Sequence, residues 1–125
     1  MKATKFRRAW VIKQVKHYCE LLCVKPPRVI LTAAEYERWK AEERIRCGWV
    51  RVGRSDRHYL GVCHHSSNMI VVFLKRLRNL KAVDTTIRHE LIHLTKPSYG
   101  HRTDVFYERM EQLKRGKIKN GRFHK

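Results

Sequence analysis

The sequence predicts an α+β fold: a small, mostly antiparallel sheet of about four strands packed on a buried helix, with further helices at its flanks. Three observations predict it. Apolar residues recur at helical spacing in several stretches, short β-branched runs bounded by turn residues lie between them, and 125 residues suit one domain spanning 1–125.

Residues 1–9 form a basic lead-in with Lys2, Lys5, Arg7 and Arg8. Val11, Val15, Tyr18 and Leu22 then recur at helical spacing up to Pro26-Pro27. After the prolines, Val29-Ile30-Leu31 reads as a short buried strand. Thr32 and Glu35 have the spacing of a capping box, opening a second helix that runs through Trp39 to about Arg46. Gly48 starts an extended region in which Trp49, Val50 and Val52 are strand formers, 53–56 is a turn, and His58 to Cys63 resumes the extended chain. His64 to Asn68 suits a turn into Met69–Leu74, a continuous apolar run expected of a central strand. From Leu80 the pattern is helical again, with Val83, Ile87, Leu91 and Leu94 in one stripe. Residues 97–100 break it, and Thr103 to Leu113 forms a last amphipathic segment before a basic tail over 114–125.

Composition narrows the partners. Twenty-nine Lys and Arg against eleven Asp and Glu give a formal charge of +18, a field that attracts polyanions, with nucleic acid the leading candidate. The candidate nucleic-acid contacts are Lys75, Arg76, Arg78 and Lys81 in the connector before the helix at Leu80, and Lys114, Arg115, Lys117 and Lys119 in the tail. Trp10, Trp49 and Phe123 lie near basic residues, but Trp10 and Trp49 read better as core. The longest apolar run is far short of the roughly 20 residues of a membrane span, and the N-terminus lacks the apolar centre of a signal peptide. A soluble intracellular protein with no membrane partner is therefore expected. Its four cysteines form no CxxC pair and read as reduced thiols, although Cys19 with Cys23, or Cys63 beside His64 and His65, could serve a second metal.

The chemistry-bearing motif is His89-Glu90-Leu91-Ile92-His93, an HExxH inside the helix that starts at Leu80. Residues four apart share a helix face, so two imidazoles can meet one zinc ion while Glu90 stands beside it as general base. A catalytic zinc needs a third protein ligand and an open position for water. The candidates are His101 first, then Glu108, then Asp104. Tyr59, Tyr99 and Tyr107 are candidate oxyanion donors.

The stretch from Leu60 to Leu113 resembles the SprT-like (Spartan/WLM-type) zincin metallopeptidases. The resemblance is carried by LGVCHH, the strand MIVVFL, the connector KRLRNL, then TIRHELIHL and GHRTDVFYERM. It implies a compact zincin-like domain, Zn²⁺ held by His89, His93 and His101, and Glu90 as the catalytic base. It also implies an endopeptidase acting on proteins bound or crosslinked to DNA, with Tyr59–His65 as an edge strand that takes the polypeptide substrate by strand addition. The four-cysteine zinc ribbon found in many members has no counterpart here, which leaves nucleic-acid contact to the basic segments. Two readings compete with this one: a nucleic-acid or ribonucleoprotein binding protein with a zincin fold and no proteolysis, and a zinc hydrolase of other substrates.

Overall fold

The computed structural model describes residues 1–47, 59–95, 104–119 and 122–123; the side chains of 44–47, 104–105, 119 and 122–123 are not described. Four helices carry the chain: α1 (Lys5–Leu22), α2 (Ala33–Cys47), α3 (Leu80–Thr95) and α4 (Asp104–Lys114). The strands are β1 (Arg28–Ile30), β2 (Gly61–His64), β3 (Met69–Val72), β4 (Ile118–Lys119) and β5 (Arg122–Phe123), with a 3₁₀ turn at Leu74–Arg76. No described helix is long and apolar enough to cross a membrane.

Local chemistry explains the boundaries. Thr4 caps α1 by accepting the Arg7 N–H at 3.2 Å, and Cys23 closes it in the left-handed region at φ 55, its N–H on the Glu20 carbonyl. One arm of the predicted capping box opens α2, the Glu35 N–H on Thr32 Oγ1 at 3.1 Å, and the Glu35 carboxylate turns back to accept from the Thr32 hydroxyl at 3.0 Å. Arg8 Nη2 reaches the same carboxylate at 2.6 Å, so one acid joins α1 to α2. Arg8 foremost, and then the Thr32 hydroxyl, hold the Glu35 carboxyl below its usual range against the opposing effect of burial. A depressed carboxyl adds stability above its unfolded value and loses it as pH falls through the folded one. Melting temperatures at about pH 6 and about pH 3 are therefore expected to differ less in Arg8→Ala than in the parent protein.

The main sheet has the order β1-β3-β2, with three strands among the described residues. This corrects the expected number of about four: the strand read at Trp49–Val52 lies outside the described residues. The expectation of a mostly antiparallel sheet is corrected as well. β2 pairs antiparallel with β3 through the turn at 65–68, where Asn68 takes φ 45, whereas β1 runs parallel to β3 because α2 intervenes. His64, read as a turn residue, belongs to β2.

Both faces of β3 are covered, which is why all four of its residues are buried without polar alternation. Met69, Val71, Ile30 and Phe73 pack with Tyr36 and Trp39 of α2. Ile70, Val72 and Leu74 face the larger core, built from Val11, Val15, Tyr18 and Leu22 of α1, Val83, Ile87 and Leu91 of α3, and Phe106, Met110 and Leu113 of α4. Trp10 packs against this core, as predicted, and Cys19 lies within it with its thiol pushed up to about 11 by burial. The basic tail also has structure: β4 and β5 pair antiparallel, and Ile118 packs against the core.

A polar cross-link ties the helices together. Asp84 Oδ1 accepts from the Tyr18 hydroxyl at 2.7 Å and from Gln14 Nε2 at 3.0 Å, and Asp84 Oδ2 accepts from Arg88 Nε at 3.1 Å. Arg88, 3% exposed, donates onward to the Met110 carbonyl at 2.9 Å. One carboxylate thus connects α1, α3 and α4.

Candidate metal centre

The helical spacing of the HExxH motif has the geometric consequence expected of it. His89 Nε2 and His93 Nε2 lie 3.1 Å apart on one face of α3. Two nitrogens sharing a tetrahedral zinc at 2.0–2.1 Å stand about 3.3 Å apart, so the separation of this pair is close to that of two ligands of one such ion. Phe106 of α4 packs against both rings, with centroids at 4.8 Å from His89 and 4.6 Å from His93, and so restricts both imidazole rotamers.

Glu90 sits beside the pair, Oε1 at 3.9 Å from His89 Nε2, and is 6% exposed. Burial pushes its carboxyl up to about 7, the range in which a carboxylate can take and return a proton at neutral pH. The adjacent strand is shaped around it. A Cβ on Gly61 would stand 3.0 Å from Glu90 Cγ and 2.9 Å from both Thr86 Cγ2 and the Val71 carbonyl. Only a residue without a side chain lets β2 lie this close to α3.

Alternation along β2 places Gly61 and Cys63 on the α3 side and Val62 and His64 on the α2 side. Cys63 packs against the larger core, and its thiol is pushed up to about 11 by burial and then by the charge of Glu90. His64 points away from the cleft, its Nε2 at 2.6 Å from the Tyr36 hydroxyl and its ring 4.8 Å from that of Trp39. His65, in the turn, places Nε2 at 2.8 Å from the His93 carbonyl and fastens the turn to the last part of α3.

His101 and Tyr99 lie outside the described residues, as does the side chain of Asp104. Glu108 is exposed, and no third His, Cys, Asp or Glu gathers with a metal-ligating pair among the described residues. The second-metal candidates do not assemble: Cys19 is in the core, Cys23 is exposed, and Cys63 is a free thiol. Tyr107 is exposed on α4, and Tyr59 precedes β2 with its carbonyl held by Arg76 at 2.6 Å.

Among the candidate nucleic-acid contacts, Lys75, Arg78 and Lys81 are exposed around the start of α3. Arg76 is engaged with the Tyr59 carbonyl and lies over the Phe73 ring at 4.0 Å. Lys114, Arg115 and Lys117 are exposed at the end of α4, Arg115 beside Glu111 at 3.8 Å, and the Lys119 side chain is not described. Sequence reasoning placed Phe106 in the last amphipathic helix and in the motif that carries the resemblance, but missed its packing on both imidazoles, and it missed Gly61 as the spacer of the site and His65 as its fastener. The glycine alone had a readable signal, because an isolated Gly in a strand marks a close approach. No family model, curated protein or solved structure matches this chain.

Proposed function

We propose that the chain is a zinc-dependent endopeptidase of the zincin type, with His89, His93 and His101 as metal ligands and Glu90 as general base. The observation that carries this reading is the 3.1 Å approach of the two Nε2 atoms beside a buried carboxyl. Zinc, when bound, supplies Lewis-acid polarisation of the scissile carbonyl and acidifies water. Glu90 takes a proton from the attacking water and delivers it to the departing amine. Its burial excludes bulk water from that exchange.

The backbone of β2 offers the seat for an extended substrate. The Phe73 N–H donates to the Leu60 carbonyl at 3.0 Å, so Leu60, Val62 and His64 direct their peptide groups to β3. Gly61 and Cys63 direct theirs away from β3, along what is the edge of the sheet among the described residues, beside Glu90. A polypeptide added to this edge meets the general base through its main chain, which favours unstructured proteins of varied sequence. The formal charge of +18 supports substrates held on nucleic acid.

The test is internal cleavage of an unfolded protein by zinc-loaded enzyme, stopped by a chelator and restored by zinc. Absence of cleavage across free and DNA-bound proteins, with zinc bound, contradicts the reading. In that case the charge favours the second reading, a nucleic-acid or ribonucleoprotein binding protein that keeps the fold without proteolysis.

A further inference from the structure

Two of the basic segments, distant in sequence, meet in the fold. The amino group of Met1 donates to the Leu74 carbonyl at 2.6 Å and to the Leu77 carbonyl at 3.0 Å, a contact across 73 positions of chain. It docks the lead-in on the connector before α3. Lys2, next to Met1, is thereby brought to the segment that carries Lys75 and Arg78, each of which follows one of the two accepting carbonyls; Lys5 opens α1, Lys81 lies in the first turn of α3, and all five side chains are exposed.

The neighbouring acids do not cancel this charge. Glu35 is paired with Arg8 and Asp84 with Arg88, while none of the five exposed cations enters an ion pair among the described residues. Arg76 contributes differently, because its contacts with the Tyr59 carbonyl and the Phe73 ring assign it to the scaffold. The N-terminus of α3, capped by Asn79 Oδ1 on the Ala82 N–H at 2.8 Å, adds its positive dipole end to the same place.

Phe6 lies between Lys5 and Arg7 in the first turn of α1 and is 72% exposed. An aromatic ring kept in water among cations suits stacking on an unpaired base. A membrane-binding helix would gather its apolar residues into one stripe. Ile12, the other large apolar residue exposed on α1, stands six positions on, about 120° around the helix from Phe6.

We propose that Lys2, Lys5, Lys75, Arg78 and Lys81 form a single cationic platform for single-stranded nucleic acid, with Phe6 stacking on a base. The platform deepens the nucleic-acid part of the proposed function. Its test needs neither zinc nor proteolysis, so each reading can fail without the other.

The experiment is fluorescence anisotropy of labelled oligo(dT) and oligo(U) of about 15 nucleotides, a duplex of equal length, and anionic phosphatidylserine vesicles as competitor. Circular dichroism confirms that each variant is folded. Lys75→Glu with Arg78→Glu is expected to weaken single-strand binding at least about tenfold and to lower the salt slope by about two. The same charge change at Lys114 and Lys117 is expected to weaken it less than about threefold. Phe6→Ala is expected to cost about fivefold or more on single strands and little on the duplex. Equal losses from the two charge reversals would make net charge the determinant and overturn the platform. Equal loss on single strand and duplex in Phe6→Ala would overturn the stacking role, and binding to vesicles but not oligonucleotides would overturn the choice of partner.

Discussion

Glu90→Gln is expected to retain zinc and to lose proteolysis, with kcat/KM falling by roughly 10²–10⁴. Gln has nearly the shape of Glu, so the close approach of this side chain to Gly61 in the tight seam between β2 and α3 survives the change. What disappears is the group that accepts a proton. A carboxylate takes and returns a proton, whereas an amide does not. Parallel measurement of zinc content and of cleavage separates the outcomes. Retained cleavage with retained zinc would remove Glu90 from the mechanism, and joint loss would make it part of the metal's support.

Asp84→Ala is expected to be the most damaging single change to stability, by about 3–5 kcal/mol. It leaves the Arg88 guanidinium, 3% exposed, without its counter-ion, and it removes the acceptor of both the Tyr18 hydroxyl and Gln14 Nε2. A loss of that size lowers the melting temperature by roughly 10–20 °C for a domain of this length. The double variant Asp84→Ala with Arg88→Met is expected to recover much of the loss, since it removes the stranded charge as well. A double variant no more stable than the single would show that the cross-link acts by something other than charge compensation.

The sequence carried the local features of this fold more clearly than its pairings. Helical stripes such as Val11, Val15, Tyr18 and Leu22, and the capping box of Thr32 and Glu35, depend on spacing within one segment and fell where spacing put them. The direction of β1 against β3 depends on how α2 crosses between them, which no residue in either strand encodes. β4 and β5 escaped notice because Ile118 and Phe123 are two apolar residues in a stretch dominated by charge.

The candidate site divides in the same way. HExxH specifies its own face of α3, so the convergence of His89 and His93 was legible from the four-residue spacing alone. Phe106, which packs on both rings, could not be read, since its role depends on the docking of α4. Asp84 and Arg88 have the spacing of an ordinary surface pair on a helix, and only the packing of α1 and α4 turns them into a buried cross-link.

The proposed sharing of one zinc ion by His89 and His93 is open to elemental analysis of untagged protein. About one zinc per chain is expected, lost in His89→Ala and His93→Ala and weakened in His101→Ala. Zinc-free protein after purification and after dialysis against micromolar zinc would contradict it, and would leave the charge of the surface as the guide to what the protein does.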